Sequence, residues 1–232
     1  MLKDDIPNLS IVIPTLNEGA KIGATIDSLK QSIKGYKHEI LVVDGGSLDE
    51  TIKEATSRGA QIILCKAGRG IQLAAGGRQA RGTWFLFIHA DTKLEIGWFQ
   101  EFENFIANHK KQNCAAAFTY SLDDNTIAST ILEAFVNWRT RKLALPYGDQ
   151  CLLINRDFYN ELNGYAEIPI MEDVEIIRRI GSKRLYILKS SATTSADKYL
   201  REGYVLRCLK NLFCLFLYFA GFRASLIAKI YR

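Results

Sequence analysis

Within the first ninety residues an apolar run repeatedly gives way to a polar turn and then to helical spacing. This alternation leaves few folds open. The runs are Ser10–Pro14, Glu39–Asp44, Gln61–Cys65 and Thr83–His89. Each is short, rich in β-branched or aromatic residues and bounded by Gly, Pro, Asn or Asp, which is the pattern of a strand. Between them Ile22, Ile26 and Leu29 recur at helical spacing, Gly59 closes a second helix, and Gly70 to Arg81 forms a third, ended by Gly82. Strands alternating with helices imply right-handed βαβ units and an α/β fold with a mostly parallel central sheet flanked by helices.

In such sheets ligands bind beyond the carboxyl ends of the strands. Thr15, Asn17, Glu18, Asp44 and Asp91 all follow strands and therefore share one rim. The run Trp84–Ile88 reads as a strand buried on both faces, delivering His89 and Asp91 to the sheet edge. A carboxylate there suits a hard divalent cation, Mg²⁺ or Mn²⁺, chelated by a nucleotide diphosphate, or else caps the turn before the helix near Gly97. Asp44 with Gly45-Gly46-Ser47 fits a nucleotide, or only a turn and a helix opened by Ser47 or Asp49. Arg69, flanked by Gly68 and Gly70 at a helix start, fits pyrophosphate or simply solvent. Arg78 and Arg81 fall on the exposed face of that helix.

Downstream, Gly97 to Lys110 is a helix with Trp98, Phe102, Phe105 and Ile106 as its buried stripe. Cys114–Tyr120 is a strand, and Thr126 to Lys142 a helix whose Phe135 and Trp138, with Leu145 beyond, read as packing. Gly148, Asp149 and Gln150 precede the strand Cys151–Ile154 and offer hydrogen bonds to an acceptor's hydroxyls, or form a plain polar turn. Glu172, Asp173 and Glu175 cluster in the first turn of a helix ending at Ile180. They complement the helix dipole, unless one of them turns into a pocket as a general base. Leu185–Leu188 is a last strand and Thr193–Tyr199 a mobile polar segment. An apolar helix runs from Gly203 through Phe219.

The chain has 232 residues and a formal net charge of +5. Its length suits one domain, residues 1–197, with a helical extension over 198–232 belonging to the same folding unit. After position 197, Lys198, Arg201, Arg207, Lys210, Arg223, Lys229 and Arg232 face only Glu202. That basic, apolar tail is expected to pack on the domain or a second copy, or to lie on an anionic membrane. It is too short to span one, since a crossing helix needs ~20 apolar residues. Nucleic acid lacks any supporting motif. Five scattered cysteines without metal spacing read as reduced, and the polar start Met1–Asn8 is no signal peptide. The expected location is the cytoplasm, with the tail allowing a peripheral position on its membrane.

Four segments, taken in order, carry a resemblance: Ser10 to Glu18, Val42 to Asp49, Phe87 to Asp91 and Met171 to Asp173. Together they resemble the ordered motifs of family 2 glycosyltransferases of the GT-A fold. Gly68-Arg69-Gly70, His89-Ala90-Asp91, Gly148-Asp149-Gln150 and Met171-Glu172-Asp173 look closest to the bacterial radical-SAM/selenodomain-associated transferase 2 subgroup. The resemblance implies metal-assisted sugar transfer from a nucleotide diphosphate donor, UDP-linked, to a hydroxyl acceptor with inversion. It implies that Pro14, Thr15, Asn17, Glu18, Asp44, Gly45 and Arg69 hold the nucleotide, and that Asp91 with His89 binds the divalent cation. Asp173 would be the base, supported by Glu172. Three features depart from the family pattern. His89-Ala90-Asp91 replaces Asp-X-Asp, Asp44-Gly45-Gly46-Ser47 replaces Asp-Asp-Gly-Ser, and no Gln-X-X-Arg-Trp motif occurs. The rival readings are a sugar-phosphate nucleotidylyltransferase and a catalytically inactive nucleotide-sugar-binding or membrane-associated protein.

Overall fold

A computed structural model describes residues 7–109 and 113–231. Eight strands form one sheet in the order β3-β2-β1-β4-β7-β6-β8-β5. The parallel half is β1 (Leu9–Thr15), β2 (His38–Asp44), β3 (Gln61–Leu64) and β4 (Trp84–Phe87). Helices α1 (Gly19–Ser32), α2 (Thr51–Ser57) and α3 (Arg69–Gln79) are its crossovers. The other half holds β5 (Thr92–Leu94), β6 (Ala115–Leu122), β7 (Leu152–Asn155) and β8 (Leu185–Thr194). Here β7 runs antiparallel to both β4 and β6, while β6 and β8 are parallel. The expected α/β architecture is present.

Alternation along each strand divides the core between the two faces of the sheet. Ile11, Ile13, Leu86 and Ile88 meet α1 and α4 (Trp98–Asn108), while Val12, Phe85 and Phe87 meet α3 and later helices. Each such side chain contributes ~1.5–3 kcal/mol when fully buried, so a one-residue slip in register would move the whole set to the wrong face. Gly76 lets α3 lie close, because a Cβ there would stand 2.3 Å from Val12 Cγ1.

Several expectations need correction. Gly82 does not end α3, whose last residue is Gln79. A Cβ on Gly82 would lie 2.6 Å from the Ser10 amide nitrogen, so the position serves a close backbone approach. Arg81 is not merely a surface residue, since its guanidinium pairs at 3.0 Å with the buried Glu39 carboxylate. Phe135 and Trp138, on α5 (Ile127–Leu143), stack on each other and stand exposed, whereas Leu145 packs against the core. Thr193 and Thr194 belong to β8, where β5 pairs with them. Lys110, expected to end α4, lies outside the described residues.

After β7 come α6 (Arg156–Glu161), α7 (Glu172–Ile180), α8 (Asp197–Glu202), α9 (Tyr204–Phe219) and α10 (Ala224–Tyr231). The last two pack back on the domain through Cys214, Leu217 and Ile227, which meet Ile170, Met171 and Val174 beside the start of α7. All five cysteines are free thiols.

Candidate active site

The antiparallel pairing of β7 on β4 decides what meets at the rim. Phe87 stands opposite Leu152, so the residues following β4 face those preceding β7. As a result His89 Nδ1 lies 3.3 Å from Asp149 Oδ1. Gly148 sits so close that a Cβ there would be 3.1 Å from His89 Nε2 and 3.3 Å from Asp173 Oδ2. The Gly148 amide donates to Asp173 Oδ2 at 2.8 Å, and the Val174 amide donates to Asp173 Oδ1 at 2.7 Å. His89, Gly148, Asp173, Glu172 and Tyr147 together line one narrow cleft. Asp91 is outside that lining, two residues beyond His89.

Two backbone positions hold this geometry. Met171, just before α7, has φ +66°, and Cys151, between the 3-10 turn Gly148–Gln150 and β7, has φ +55°. Side chains other than Gly rarely adopt such angles, at a cost of ~1–3 kcal/mol each, and such residues concentrate at functional sites.

Arg69 opens α3 and donates through Nε to Glu172 Oε1, and its Nη2 lies 3.7 Å from Asp173 Oδ2. The Glu172 side chain is fully buried, and burial raises its carboxyl pKa against the lowering pull of Arg69. Its Oε2 is buried without a hydrogen-bond partner among the described residues. Asp149 is also pushed up by burial, yet the hydrogen bond to His89 and the charges of His89 and Arg69 hold it well below the carboxylate range. Arg69, expected at a diphosphate, is thus turned to the two acids of α7.

The other rim loops clasp one another. Asn17, at φ +56°, receives Leu48's amide on Oδ1 at 2.9 Å and donates its own amide to Ser47 Oγ at 2.8 Å. Glu18's amide donates to Thr51 Oγ1, and Gly45's amide donates to the carbonyl of Thr15, next to Pro14 at the end of β1. Asp44 is fully buried and accepts from Thr15 Oγ1, Ser47 Oγ and the amides of Gly46 and Ser47. Both of its oxygens are occupied, so it shapes the loop rather than presenting a free acceptor.

Gln150 requires a similar correction. It is buried, takes a hydrogen bond from Thr140 and donates to the carbonyl of Phe118, so no part of its amide faces the cleft. The sequence reading also missed Gln72, whose amide donates to the carbonyls of Thr15 and Val43 and ties α3 to the ends of β1 and β2. A lone glutamine on an amphipathic helix carries no signal of that kind.

The Asp91 carboxylate takes no hydrogen bond among the described residues, and its charge raises the pKa of Glu18 after the larger effect of burial. Among the described residues no three His, Cys, Asp or Glu side chains gather as a ready-made metal site. An unencumbered oxygen donor of this kind suits a cation that brings most of its own ligands.

Comparison with known proteins places the chain. The profile of the family described as Glycosyl transferase family 2 matches residues 10–162, well over half of its length. The chain belongs to glycosyl transferase family 2. A curated family relative, the PGL/p-HBAD biosynthesis glycosyltransferase of Mycobacterium bovis (strain BCG / Pasteur 1173P2), is 35% identical over 45% of this chain and 43% of its own. Glucosyl-3-phosphoglycerate synthase of Mycolicibacterium paratuberculosis is 30% identical over 36% of this chain and 28% of its own. The chain thus spans less than half the length of these curated relatives. Among solved structures, Mycobacterium tuberculosis glucosyl-3-phosphoglycerate synthase with Mn²⁺, UDP and glucosyl-3-phosphoglycerate matches with a TM-score of 0.53 at 20% identity, covering 82% of this chain and 70% of that one. S. aureus TarS 1-349 matches with a TM-score of 0.63 at 13% identity, covering 97% and 69%. The family fold is therefore that of the GT-A glycosyltransferases.

Proposed function

We propose that this family 2 protein transfers a sugar from a UDP-linked donor to a hydroxyl acceptor, with inversion at the anomeric carbon. The observation that carries the reading is Asp173, held by the Gly148 amide in the same cleft as His89 at the end of β4. The resemblance to the radical-SAM/selenodomain-associated transferase 2 subgroup rests on four segments, which are joined by the contacts His89–Asp149, Gly148–Asp173 and Arg69–Glu172.

In this reading Asp173 accepts the proton of the acceptor hydroxyl as its oxygen bonds to C1 and the bond from C1 to the diphosphate oxygen breaks. Arg69 and Glu172 hold that carboxylate in place as a paired unit. Asp149 fixes the His89 ring and so the path between β4 and β7. Asp91, with Glu18 beside it, would hold a divalent cation, which when bound supplies positive charge to the departing diphosphate. The relative's complexes containing Mn²⁺ or Mg²⁺ with UDP support the choice of cation and nucleotide. Thr15, Asn17 and Gly45 would contact the nucleotide through the rim loops, and Gly148 and Asp149 would border the acceptor.

The deciding experiment is UDP release from UDP-sugars with Mn²⁺, followed by NMR of the product's anomeric configuration. Release with inverted configuration is expected. UDP binding without release would favour the inactive binding protein, diphosphate release from UTP the nucleotidylyltransferase, and retained configuration would refute inversion.

We further propose that residues 198–232 fold with the domain and bring it to an anionic membrane from the cytoplasmic side. Val205, Leu209, Phe213 and Phe216 remain exposed on α9. Seven cations against one acid after position 197 complement anionic lipid, whereas two such tails in a dimer would repel. No helix among the described residues is long and apolar enough to cross a membrane. Co-sedimentation with phosphatidylglycerol vesicles, and none with neutral ones, is the expected result; a salt-independent dimer without vesicle binding would contradict it.

A further inference from the structure

Arg139, on the inner side of α5, is the arginine whose situation the reaction above does not explain. Its Nε donates to the carbonyl of Leu145 at 3.1 Å, and its guanidinium lies 3.7 Å from the centre of the Tyr147 ring. Neither terminal amino group has a hydrogen-bond partner, and no carboxylate pairs with it among the described residues. By contrast Arg58, Arg69, Arg81, Arg179, Arg184 and Arg207 each pair with an acid. A half-buried guanidinium without a counter-charge is costly, and burial lowers its pKa.

Tyr147 supplies a second, independent sign. Its hydroxyl is buried without a hydrogen-bond partner among the described residues, although the residue lines the cleft with Asp173, Gly148 and His89. Arg139 is also close enough to feel the charges of Asp173 and Asp149. Tyr147 therefore stands in the cleft with the acid assigned as base, and the forked donor Arg139 lies against its ring. Planar pairs of N–H donors match carboxylate and phosphate oxygens.

We propose that Arg139 and Tyr147 form an anion subsite for the acceptor, so that the acceptor is a hydroxyl compound carrying a phosphate or carboxylate group. The assignment deepens the transferase reading and rests on it for the role of Asp173. Tyr147 donates its hydroxyl to one anion oxygen, Arg139 binds the others, and the acceptor's hydroxyl is left toward Asp173. The same chemistry fits a free phosphate ester and a lipid headgroup.

The test measures binding without turnover, so it remains readable should sugar transfer fail. Glycerol, glycerol 3-phosphate and monohexanoyl lysophosphatidate, a phosphatidate that keeps one free hydroxyl, are titrated calorimetrically into the full chain and into Arg139→Gln and Arg139→Lys. Wild type is expected to bind glycerol 3-phosphate at least 10-fold more tightly than glycerol. Arg139→Gln should lose about 10-fold or more of that affinity, Arg139→Lys an intermediate amount, and UDP affinity should stay within about twofold throughout. Tighter binding of the phosphatidate assigns a lipid-borne anion; equal binding assigns the free ester. Absence of any preference for glycerol 3-phosphate over glycerol overturns the proposal, as does unchanged affinity in Arg139→Gln. Should Arg139→Gln not fold, unchanged affinity in Arg139→Lys overturns it.

Discussion

Arg69 and Glu172 stand 103 residues apart in the chain, yet the guanidinium of one donates to the buried carboxylate of the other, joining the first turns of α3 and α7. Removing the arginine leaves an uncompensated buried acid. Such losses cost ~3–5 kcal/mol for fully buried pairs, and partial solvation of Arg69, 35% exposed, reduces this to about 2–3 kcal/mol. Arg69→Met should lower Tm by about 4–12 °C. Adding Glu172→Leu should recover most of the loss, because the stranded charge is gone. Calorimetry of the three variants checks this.

Gly148→Ala tests the contact between β4, β7 and α7. The added Cβ would press on His89 and on Asp173 Oδ2, both side-chain atoms that can yield by a few tenths of an ångström. Stability should change little, while misplacement of the reacting carboxylate should reduce kcat by about 10–100-fold. Steady-state kinetics alongside thermal unfolding separates the two effects.

Asp44 predicts an acid limit for the rim. Burial raises its pKa, but the hydrogen bonds from Ser47, Gly46 and Thr15 outweigh burial and set it below the ordinary 3.8. Because the folded value is depressed, the stabilisation is present above pH 3.8 and is lost as pH falls through the folded value. Protection of the Gly46 and Ser47 amides from exchange, relative to their intrinsic rates, should fall below that point. In Asp44→Asn it should be low already at neutral pH.

The framework of this site was legible in the chain because short β-branched and aromatic runs, bounded by turn residues, take turns with helical spacing. The β-branched run closed by Pro14 marked β1, and the polar residues after β1, β2 and β4 marked the rim. Pairing between distant segments leaves no such trace. That β7 would lie antiparallel on β4 and carry Asp149 to His89 depends on sheet order, which alternation does not encode. Direction was equally hidden for polar side chains. Gln150 and Asp44 have the residue types of a binding site, and burial gave their hydrogen bonds to the fold instead. The three-residue β5 was invisible, because Thr92–Leu94 is too short for an alternating pattern to repeat.

The Glu18 carboxyl should report the charge of Asp91. Burial and then the Asp91 charge raise the Glu18 pKa above 4.5, so Asp91→Asn should move it back down. Carbon-detected NMR titration of the Glu18 carboxyl would show the change. An unchanged Glu18 would mean the two side chains do not share the site assigned to the cation.

The central claim, that a proton-accepting acid and a cation-bound diphosphate meet at one rim of the sheet, is tested most directly by measuring UDP affinity in Mn²⁺ and sugar-transfer rate together in Asp173→Asn and Asp91→Asn. The account predicts that Asp173→Asn loses about 10²–10⁴-fold in rate with UDP affinity within about twofold, while Asp91→Asn weakens Mn²⁺-dependent UDP binding. Full transfer by Asp173→Asn at saturating acceptor would contradict it.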